Sequence, residues 1–298
     1  LGQIAQAGAS GRVRRIHINL SSHGSTARKL LVAGLARMLG VKYLIHVHGS
    51  RFDVFVDGLP PMGRAMVRAM LEQAETVIVL GEYWRDFVVG KLGVSAHKVR
   101  VIFNCVPLPE RLAEGSPDGI PHILFLGRLG ERKGVPELLE ALAAMKELPW
   151  RATLAGDGEV ERFRTQAEAL GLGDRVAFPG WVDRGAVQAL LHSADVVTLP
   201  SYKEGLPMSV IEGLANRIAV VATPAGATGE IITHDHSGLL VPPGDAAALA
   251  AALSRVVSDP HLRRRLAQAG HDVFLEVMEA SAIAQRISLL YQELDAGC

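Results

Sequence analysis

Two glutamates, Glu204 and Glu212, lie eight positions apart in the stretch YKEGLPMSVIE. The preceding apolar run, ADVVTLP, predicts a strand, and the apolar period of PMSVIEGLANR predicts a helix in which Pro207 takes the first position. Glu204 would lie in the loop before the helix and Glu212 about five residues into it, with their Cα atoms about 10 Å apart. That geometry is awkward for two ligands of one metal ion, or for the paired carboxylates of a retaining glycosidase. It suits two ends of one elongated ligand.

The segment between the two glutamates suits an anion. Gly205 lets a ligand approach the backbone closely, and Leu206, Pro207 and Met208 lead into the free amides of the helix start, which attract negative charge. An anionic centre flanked by carboxylates that accept hydrogen bonds from hydroxyl groups describes a nucleoside diphosphate sugar. Two plainer interpretations stay open: a surface helix residue at position 212 and a capping carboxylate at position 204.

A second polar loop, GRLGERKG, begins at Gly127 after the predicted strand HILFLG. Arg128 follows the strand directly, and Lys133 lies just before a helix whose start is marked by Pro136. A guanidinium and an ammonium group that converge beside a helix N-terminus make a good diphosphate site. The alternative is that Arg128 pairs with an acidic neighbour and that Lys133 is solvated.

Two further loops carry glycine at the ends of predicted strands. AGDGE contains Gly156 and Gly158, which a tight strand-to-helix turn also requires for steric reasons, and FPGW contains Gly180 and Trp181. Ligands of parallel sheets bind outside the carboxyl ends of the strands. We therefore expect all four loops at one edge of one sheet.

The whole chain alternates short β-branched runs with segments of helical period, which is the signature of α/β domains with parallel sheets. It predicts two doubly wound, Rossmann-like domains that face a cleft. We expect an acceptor-side domain over residues 1–107, a donor-binding domain over 108–279 and a C-terminal helix over 280–298 that packs back on the first domain. The Pro- and Gly-rich stretch 107–121 would connect the two domains.

Composition excludes several classes of function. The 298 residues are 49% hydrophobic and carry 31 basic and 31 acidic side chains, so no net field would recruit nucleic acid or an acidic membrane. Cys105 and Cys298 lack metal-type spacing, which fits a reducing compartment. There is no apolar run of about 18 residues and no signal-peptide core. We expect a soluble, cytoplasmic protein.

The set GRLGERKG, GDGE, FPGW and EGLPMSVIEGLA resembles, over residues 120–296, the donor domain of family 4 retaining glycosyltransferases of the GT-B fold, whose Glu-x7-Glu signature matches positions 204 and 212. The resemblance implies that Arg128 and Lys133 bind the departing diphosphate, and that Glu204 holds hydroxyl groups of the donor sugar. Glu212 would accept hydrogen bonds from the ribose, and the loop at positions 180 and 181 would lie near the base. HVHGSRFD, residues 46–53, resembles the acceptor-domain stretch whose histidine, here His48, lies beside the donor sugar. A packed strand-end histidine is the alternative for His48.

The same resemblance implies transfer of a sugar from a UDP- or GDP-type donor to an acceptor hydroxyl with retention, without a metal or another cofactor. The acceptor would be a glycan or a lipid-linked glycan in polysaccharide or glycoconjugate biosynthesis. Peripheral association with the inner face of the membrane would follow from such an acceptor. Nucleic acid is not an expected partner.

The first half departs from the family pattern in two ways. Cys105 stands where the family usually has glycine after Asn104, and only four predicted strands precede the connection, whereas a full domain of this kind has about six. We therefore expect an incomplete N-terminal domain. Two other functions stay open: a nucleotide-sugar binding module without turnover, and a GT-B epimerase or phosphorylase.

Overall fold

A computed structural model describes residues 13–296. The chain divides into two compact units. The first unit contains the residues up to Phe103 together with those from Ser288 onward, and the second contains Asn104–Ile287. Residues 107–121 form neither helix nor strand.

The first unit is built on a sheet of four parallel strands in the order β1-β2-β3-β4. The strands are β1 (Arg15–Leu20), β2 (Lys42–Val47), β3 (Val77–Val79) and β4 (Val99–Val101). Its helices are α1 (Gly24–Met38), α2 (Phe52–Asp57), α3 (Pro61–Glu72) and α4 (Glu82–Asp86), with a π-helical turn at Phe87–Lys91 and a 3-10 turn at Ala96–Lys98. The sequence predicted neither α2 nor α4, because five or six residues are too few to show a helical period.

The second unit is built on six parallel strands in the order β10-β9-β8-β5-β6-β7. The strands are β5 (His122–Leu126), β6 (Arg151–Ala155), β7 (Val176–Gly180), β8 (Val196–Leu199), β9 (Ala219–Ala222) and β10 (Leu239–Leu240). The helices are α5 (Val135–Ala144), α6 (Val160–Ala169), α7 (Arg184–Ser193), α8 (Met208–Ala215), α9 (Thr228–Ile231), α10 (Ala246–Ser258), α11 (Pro260–Val277) and α12 (Ala280–Ala296), with a 3-10 turn at Glu131–Lys133. The four strands predicted in the first half and the four predicted before the polar loops of the second half are all present. The expected fold of two parallel-sheet α/β domains is confirmed.

The strand order of the second unit creates a switch point between β5 and β8. From β5 the chain proceeds to β6 and β7 on one side, and from β8 it proceeds to β9 and β10 on the other. All residues of β5, β8 and β9 are buried, as expected of central strands covered on both faces. Ligands of such sheets bind in the crevice at the switch point. The loops after β5 and β8 are therefore the first place to look for a site.

The last turns of α12 pack on β1 within the first unit. The Tyr291 hydroxyl lies 2.6 Å from His17 Nδ1, and the Arg15 guanidinium donates to the Asp295 carboxylate at 2.9 Å. The boundary between the two units falls within this helix. The helix begins at Ala280 in the second unit, and its residues from Ser288 onward belong to the first unit. Among the helices of residues 13–296, none is long and apolar enough to cross a bilayer.

Candidate active site at the β5–β8 switch point

A buried ion pair joins the loops after β5 and β8. Lys133 Nζ lies 2.6 Å from Glu204 Oε1, and the two side chains are only 14% and 7% exposed. The loop positions of both residues agree with the sequence-based prediction, whereas their mutual contact was not foreseen. The alternatives of a solvated Lys133 and of Glu204 as a cap for α8 do not describe this structure, because each residue has the other as its partner.

Arg132 provides a second link between the same loops. Its Nη1 donates to the Lys203 carbonyl at 2.8 Å and lies 3.9 Å from Glu204 Oε1, while the Tyr202 amide donates to the Arg132 carbonyl at 2.9 Å. The backbone just before Glu204 is therefore held by the 3-10 turn. Sequence reasoning missed Arg132, although its place inside GRLGERKG, next to Lys133, was the available signal.

Arg128 pairs with a different carboxylate from the one that Lys133 contacts. Its side chain is 72% exposed and lies 3.8 Å from the Asp157 carboxylate, so it has an acidic neighbour, as one interpretation of the sequence foresaw. A cavity of about 280 Å³ is lined by the turn from Arg128 to Lys133 and by Glu159. Both predicted cations thus face one cavity, with the exposed guanidinium available to a ligand.

The glycines of these loops are required by close backbone contacts. A Cβ at Gly156 would lie 1.9 Å from the Gly127 carbonyl oxygen, and one at Gly158 would lie 2.2 Å from the Leu129 carbonyl oxygen. Gly156 has φ +151 and Gly158 φ +105, a region that disfavours larger residues. The loops after β5 and β6 are therefore pressed together, and this packing brings AGDGE beside the cation loop.

The turn before α8 is held by its backbone and leaves the helix start open. The Gly205 carbonyl accepts from the Ala227 amide at 2.9 Å, and the Leu206 carbonyl accepts from Asn104 Nδ2 at 2.9 Å. The helix begins at Met208, one residue after the predicted start at Pro207. Pro207 is excluded from the helix because its ψ of 129° is extended rather than helical.

No side chain caps α5 or α8, the helices that begin at the cation loop and at the Glu204 loop. Three other helices of the unit, α7, α10 and α11, are each capped by an aspartate: Asp183, Asp245 and Asp259. The first-turn amides of α5 and α8 are therefore without a side-chain acceptor. Helix starts of this kind bind anions well.

Glu212 is the fifth residue of α8, as predicted, and is half-buried. Burial raises the pKa of its carboxyl group. Among residues 13–296, the structure gives the carboxylate no hydrogen-bond donor and no cation. Its partial burial distinguishes it from a fully exposed helix residue, and a ligand group that donated to it would offset the cost of that burial.

Gly180 and Trp181 close the neighbouring edge of the sheet. Gly180 is the last residue of β7, has φ +74 and accepts from the Gly156 amide at 2.8 Å, so it contacts the glycine turn directly. Trp181 is 74% exposed. An aromatic ring presented to solvent beside a glycine turn is available for stacking on a planar ligand.

In the first unit, His48 follows β2 and is exposed. Its Nε2 lies 3.1 Å from Asn19 Oδ1, and its ring centroid lies 3.9 Å from that of His46. Burial, followed by the neighbouring His48 and His17, lowers the pKa of His46 to about 3. The interpretation of His48 as a packed strand-end residue therefore does not fit, since the buried histidine of this strand is His46.

In the part of the chain that the structure describes, no three His, Cys, Asp or Glu side chains form a group that could hold a metal ion. Cys105, at the position where the sequence departs from its resemblance, is half-buried, and burial raises the pKa of its thiol.

Comparison with known families covers nearly the whole chain. Residues 110–273 match the family described as Glycosyl transferases group 1, and residues 1–105 match the Glycosyl transferase 4-like domain. WcaL of Escherichia coli, a glycosyltransferase assigned to colanic acid biosynthesis, is 36% identical over 91% of this chain and 79% of its own length. Alpha-D-kanosaminyltransferase of Streptomyces kanamyceticus is 26% identical over 94% of this chain and 77% of its own length.

Solved structures show the same fold. Sucrose-phosphate synthase from Thermosynechococcus elongatus has a TM-score of 0.81 and 26% identity, covering 99% of this chain and 76% of that protein. Anabaena HepE, solved in complex with UDP, has a TM-score of 0.84 and 20% identity, covering 98% of this chain and 81% of HepE. HepE has also been solved in complex with UDP-glucose.

Proposed function

Since this chain belongs to the group 1 glycosyl transferases and has the GT-B fold, we propose that it transfers a sugar from a nucleoside diphosphate sugar to an acceptor hydroxyl with retention at the anomeric carbon. Glycosyltransferase activity follows from the family. The donor class, the stereochemistry and independence of metal are the proposal. The donor is of the UDP or GDP type, and the UDP complexes of HepE support a nucleotide ligand.

One observation supports the donor site most strongly. The loops after β5 and β8, adjacent at the switch point, bring Lys133 and Glu204 into contact beside two helix starts that no side chain caps. A diphosphate would take Lys133 and the exposed Arg128 as counter-charges and the α8 amides as donors. Glu204 would then be released from Lys133 to accept hydrogen bonds from the sugar hydroxyl groups.

The remaining site residues receive roles from their positions. Glu212, half-buried and without a partner in the described residues, accepts from the ribose hydroxyl groups. Gly205 gives the sugar close access to the backbone, and Trp181 stacks on the base. For His48 the proposed place beside the donor sugar rests on the sequence motif alone.

Retention needs no nucleophile from the protein in this mechanism. The bond between the anomeric carbon and the phosphate oxygen breaks, and the acceptor oxygen bonds to the same face of that carbon. The acceptor proton passes to the departing phosphate oxygen, so the products are the glycoside and the nucleoside diphosphate. Preorganised positive charge from Arg128, Lys133 and the α8 amides stabilises the developing diphosphate, which is the type of interaction that contributes most in many enzymes.

The acceptor is a glycan or a lipid-linked glycan. This assignment rests on relatives such as the E. coli glycosyltransferase assigned to colanic acid biosynthesis. The reaction would extend a polysaccharide or another glycoconjugate.

Calorimetric titration with UDP, GDP, ADP and their sugars tests the donor site on the wild type and on Glu212→Gln. One nucleotide class should bind, and the variant should bind it about 10- to 100-fold more weakly, because a hydrogen bond to a charged group contributes about 1.5–3 kcal/mol. Glu168→Gln, an exposed glutamate on α6, is the matched control and should bind like the wild type. No binding of any nucleotide to the folded protein would refute the donor site.

A turnover assay then separates transfer from the other possibilities. The anomeric configuration of the glycoside, read by NMR, should match that of the donor, and EDTA should leave the rate unchanged. Inversion would refute the mechanism. Binding without transfer to any acceptor would indicate a binding module, while release of a free epimer or dependence on inorganic phosphate would indicate an epimerase or a phosphorylase.

A further inference from the structure

One face of the β1–β2 pair in the first unit carries four polar side chains. His17 and Asn19 lie two positions apart on β1, and His46 and His48 lie two positions apart on β2 and just beyond its end. Alternate residues of a strand share a face, and Asn19 is the register partner of His46, so all four lie on the same face of the pair. Asn19 and His48 lie nearest the carboxyl ends of the strands, where ligands of parallel sheets bind.

Asn19 and His48 are in direct contact at this end of the pair. Asn19 Oδ1 lies 3.1 Å from His48 Nε2. An amide oxygen can only accept, so the hydrogen bond requires that the proton of the neutral His48 ring is on Nε2. Nδ1 of the same ring is then the nitrogen that accepts a hydrogen bond. The contact with Asn19 therefore selects one of the two tautomers of His48.

His46 supports the face of the His48 ring. The two ring centroids lie 3.9 Å apart, with an angle of 35° between the ring planes. His46 is only 8% exposed, and in the part of the chain that the structure describes its Nε2 has no hydrogen-bond partner. Burial lowers the pKa of His46 to about 3, so the supporting ring is uncharged. Stacking does not distinguish the two nitrogens of His48, whereas the contact with Asn19 does.

The backbone on both sides of the Asn19–His48 contact is fixed. The His48 amide donates to the Leu20 carbonyl at 2.8 Å, which continues the β1–β2 ladder past the end of β2. In the loop after β1, the hydroxyl group of the buried Thr26 donates to the Ser21 carbonyl at 2.6 Å. A side chain that orients another needs rigid support of this kind. Asn19 is thus held by its own strand and by the loop that follows it.

We propose that Asn19 is a positioning residue, which holds His48 as the Nε2–H tautomer so that Nδ1 accepts a hydrogen bond from a hydroxyl group of the donor sugar. This inference rests on the proposed function, in which His48 lies beside that sugar. The chemistry of the two groups agrees, since a sugar hydroxyl donates and an unprotonated ring nitrogen accepts. In the other tautomer, Nδ1 would carry the proton and the ring would lose its hydrogen bond to Asn19. Asn19 should therefore affect recognition of the sugar and not of the nucleotide.

Nitrogen-15 NMR of the histidine-labelled protein without ligand tests the tautomer and needs no sugar transfer. Loss of the signals in His48→Ala assigns them to His48. At a pH above the usual histidine range, the wild-type ring should carry its proton on Nε2. Asn19→Leu removes the acceptor at similar side-chain size and should give a mixture of tautomers, whereas Asn19→Asp keeps an acceptor oxygen and should retain the wild-type tautomer. A wild-type ring protonated on Nδ1 would overturn the proposal.

Titration calorimetry tests the role in sugar recognition, with the UDP, GDP or ADP sugar that the wild type binds. Asn19→Leu should bind this nucleotide sugar about two- to tenfold more weakly, as expected for one hydrogen bond between uncharged groups, and should bind the free nucleoside diphosphate like the wild type. Asn19→Asp should bind both ligands nearly like the wild type. Gln268→Leu makes the same change from amide to leucine at an exposed position of α11 in the other unit and should leave binding unchanged. Each variant is first shown to melt like the wild type.

A double-mutant cycle shows whether Asn19 acts through His48. The double variant Asn19→Leu with His48→Ala should lose no more affinity for the nucleotide sugar than His48→Ala alone, because the two residues act as one unit. Additive losses would overturn the proposal, since Asn19 would then contact the sugar itself. Equal losses for the nucleotide sugar and the free nucleotide in Asn19→Leu would also overturn it. Absence of any nucleotide binding would instead refute the donor site, and with it the contact to the sugar, whereas a His48 ring protonated on Nδ1 would refute the role of Asn19 in a protein that still binds its donor.

Discussion

Replacing Lys133 with methionine should leave Glu204 as a buried carboxylate with incomplete compensation. The pair is 2.6 Å long with side chains 14% and 7% exposed, and Arg132 is the remaining cation, at 3.9 Å. Removing one partner of a buried pair costs about 3–5 kcal/mol. Because Arg132 still compensates part of the charge, we expect about 3 kcal/mol, the lower end. For a unit of this size that corresponds to a fall of about 6–12 °C in the melting temperature.

Differential scanning calorimetry of Lys133→Met measures this loss, and two other variants test its origin. The double variant Lys133→Met with Glu204→Gln should recover most of the loss, since a neutral amide is far cheaper to bury than a carboxylate. Arg255→Met breaks a pair with Asp235 that is equally short, 2.6 Å, but has side chains 46% and 48% exposed. This exposed pair should contribute little to stability.

The reasoning would be refuted if Lys133→Met and Arg255→Met melted alike, because distance rather than burial would then decide the loss. It would also fail if the double variant were as unstable as Lys133→Met, because the destabilisation would then not come from the unpaired carboxylate.

Three other changes have definite expected outcomes. Burial and the neighbouring histidines lower the pKa of His46 from 6.5 to about 3. The contribution of this neutral histidine to stability is therefore complete above pH 6.5 and is lost as the pH falls toward 3. His46→Phe should flatten the pH dependence of urea unfolding in that range, and an unchanged dependence would contradict this. Gly156→Ala should lower the free energy of unfolding by more than about 3 kcal/mol, because the new Cβ would lie 1.9 Å from a carbonyl oxygen. In the control variant Gly173→Ala the new Cβ lies no closer than 3.7 Å to any atom beyond the adjacent residues, so this variant should unfold at nearly the wild-type urea concentration. Arg132→Ala removes the hydrogen bond to the Lys203 carbonyl and should loosen the Glu204 loop. Titration calorimetry should show about tenfold weaker binding of the nucleotide sugar and nearly unchanged binding of the free nucleoside diphosphate. Equal losses for both ligands would contradict a role of Arg132 through Glu204.

The sequence alone determined the strands, the longer helices and the polar residues of the loops. Each strand of β5 to β10 is a short apolar run of its own, and the glycines of AGDGE and the Glu-x7-Glu spacing are local patterns, so they can be predicted without knowing what lies beside them. The position of Glu212 within α8 followed from helical period in the same way.

Only the tertiary structure decided which of these residues meet. Lys133 and Glu204 are 71 positions apart, and their contact depends on β5 and β8 being neighbours, which parallel-strand order fixes and local pattern does not. The charge difference between the two units was likewise invisible in the net charge, because a sum over the chain cannot show that 14 basic residues fall in the unit with 8 acidic ones. Burial and partnership are properties of packing. They distinguish the carboxylate of Glu204, which Lys133 contacts, from the half-buried carboxylate of Glu212, to which no described residue donates.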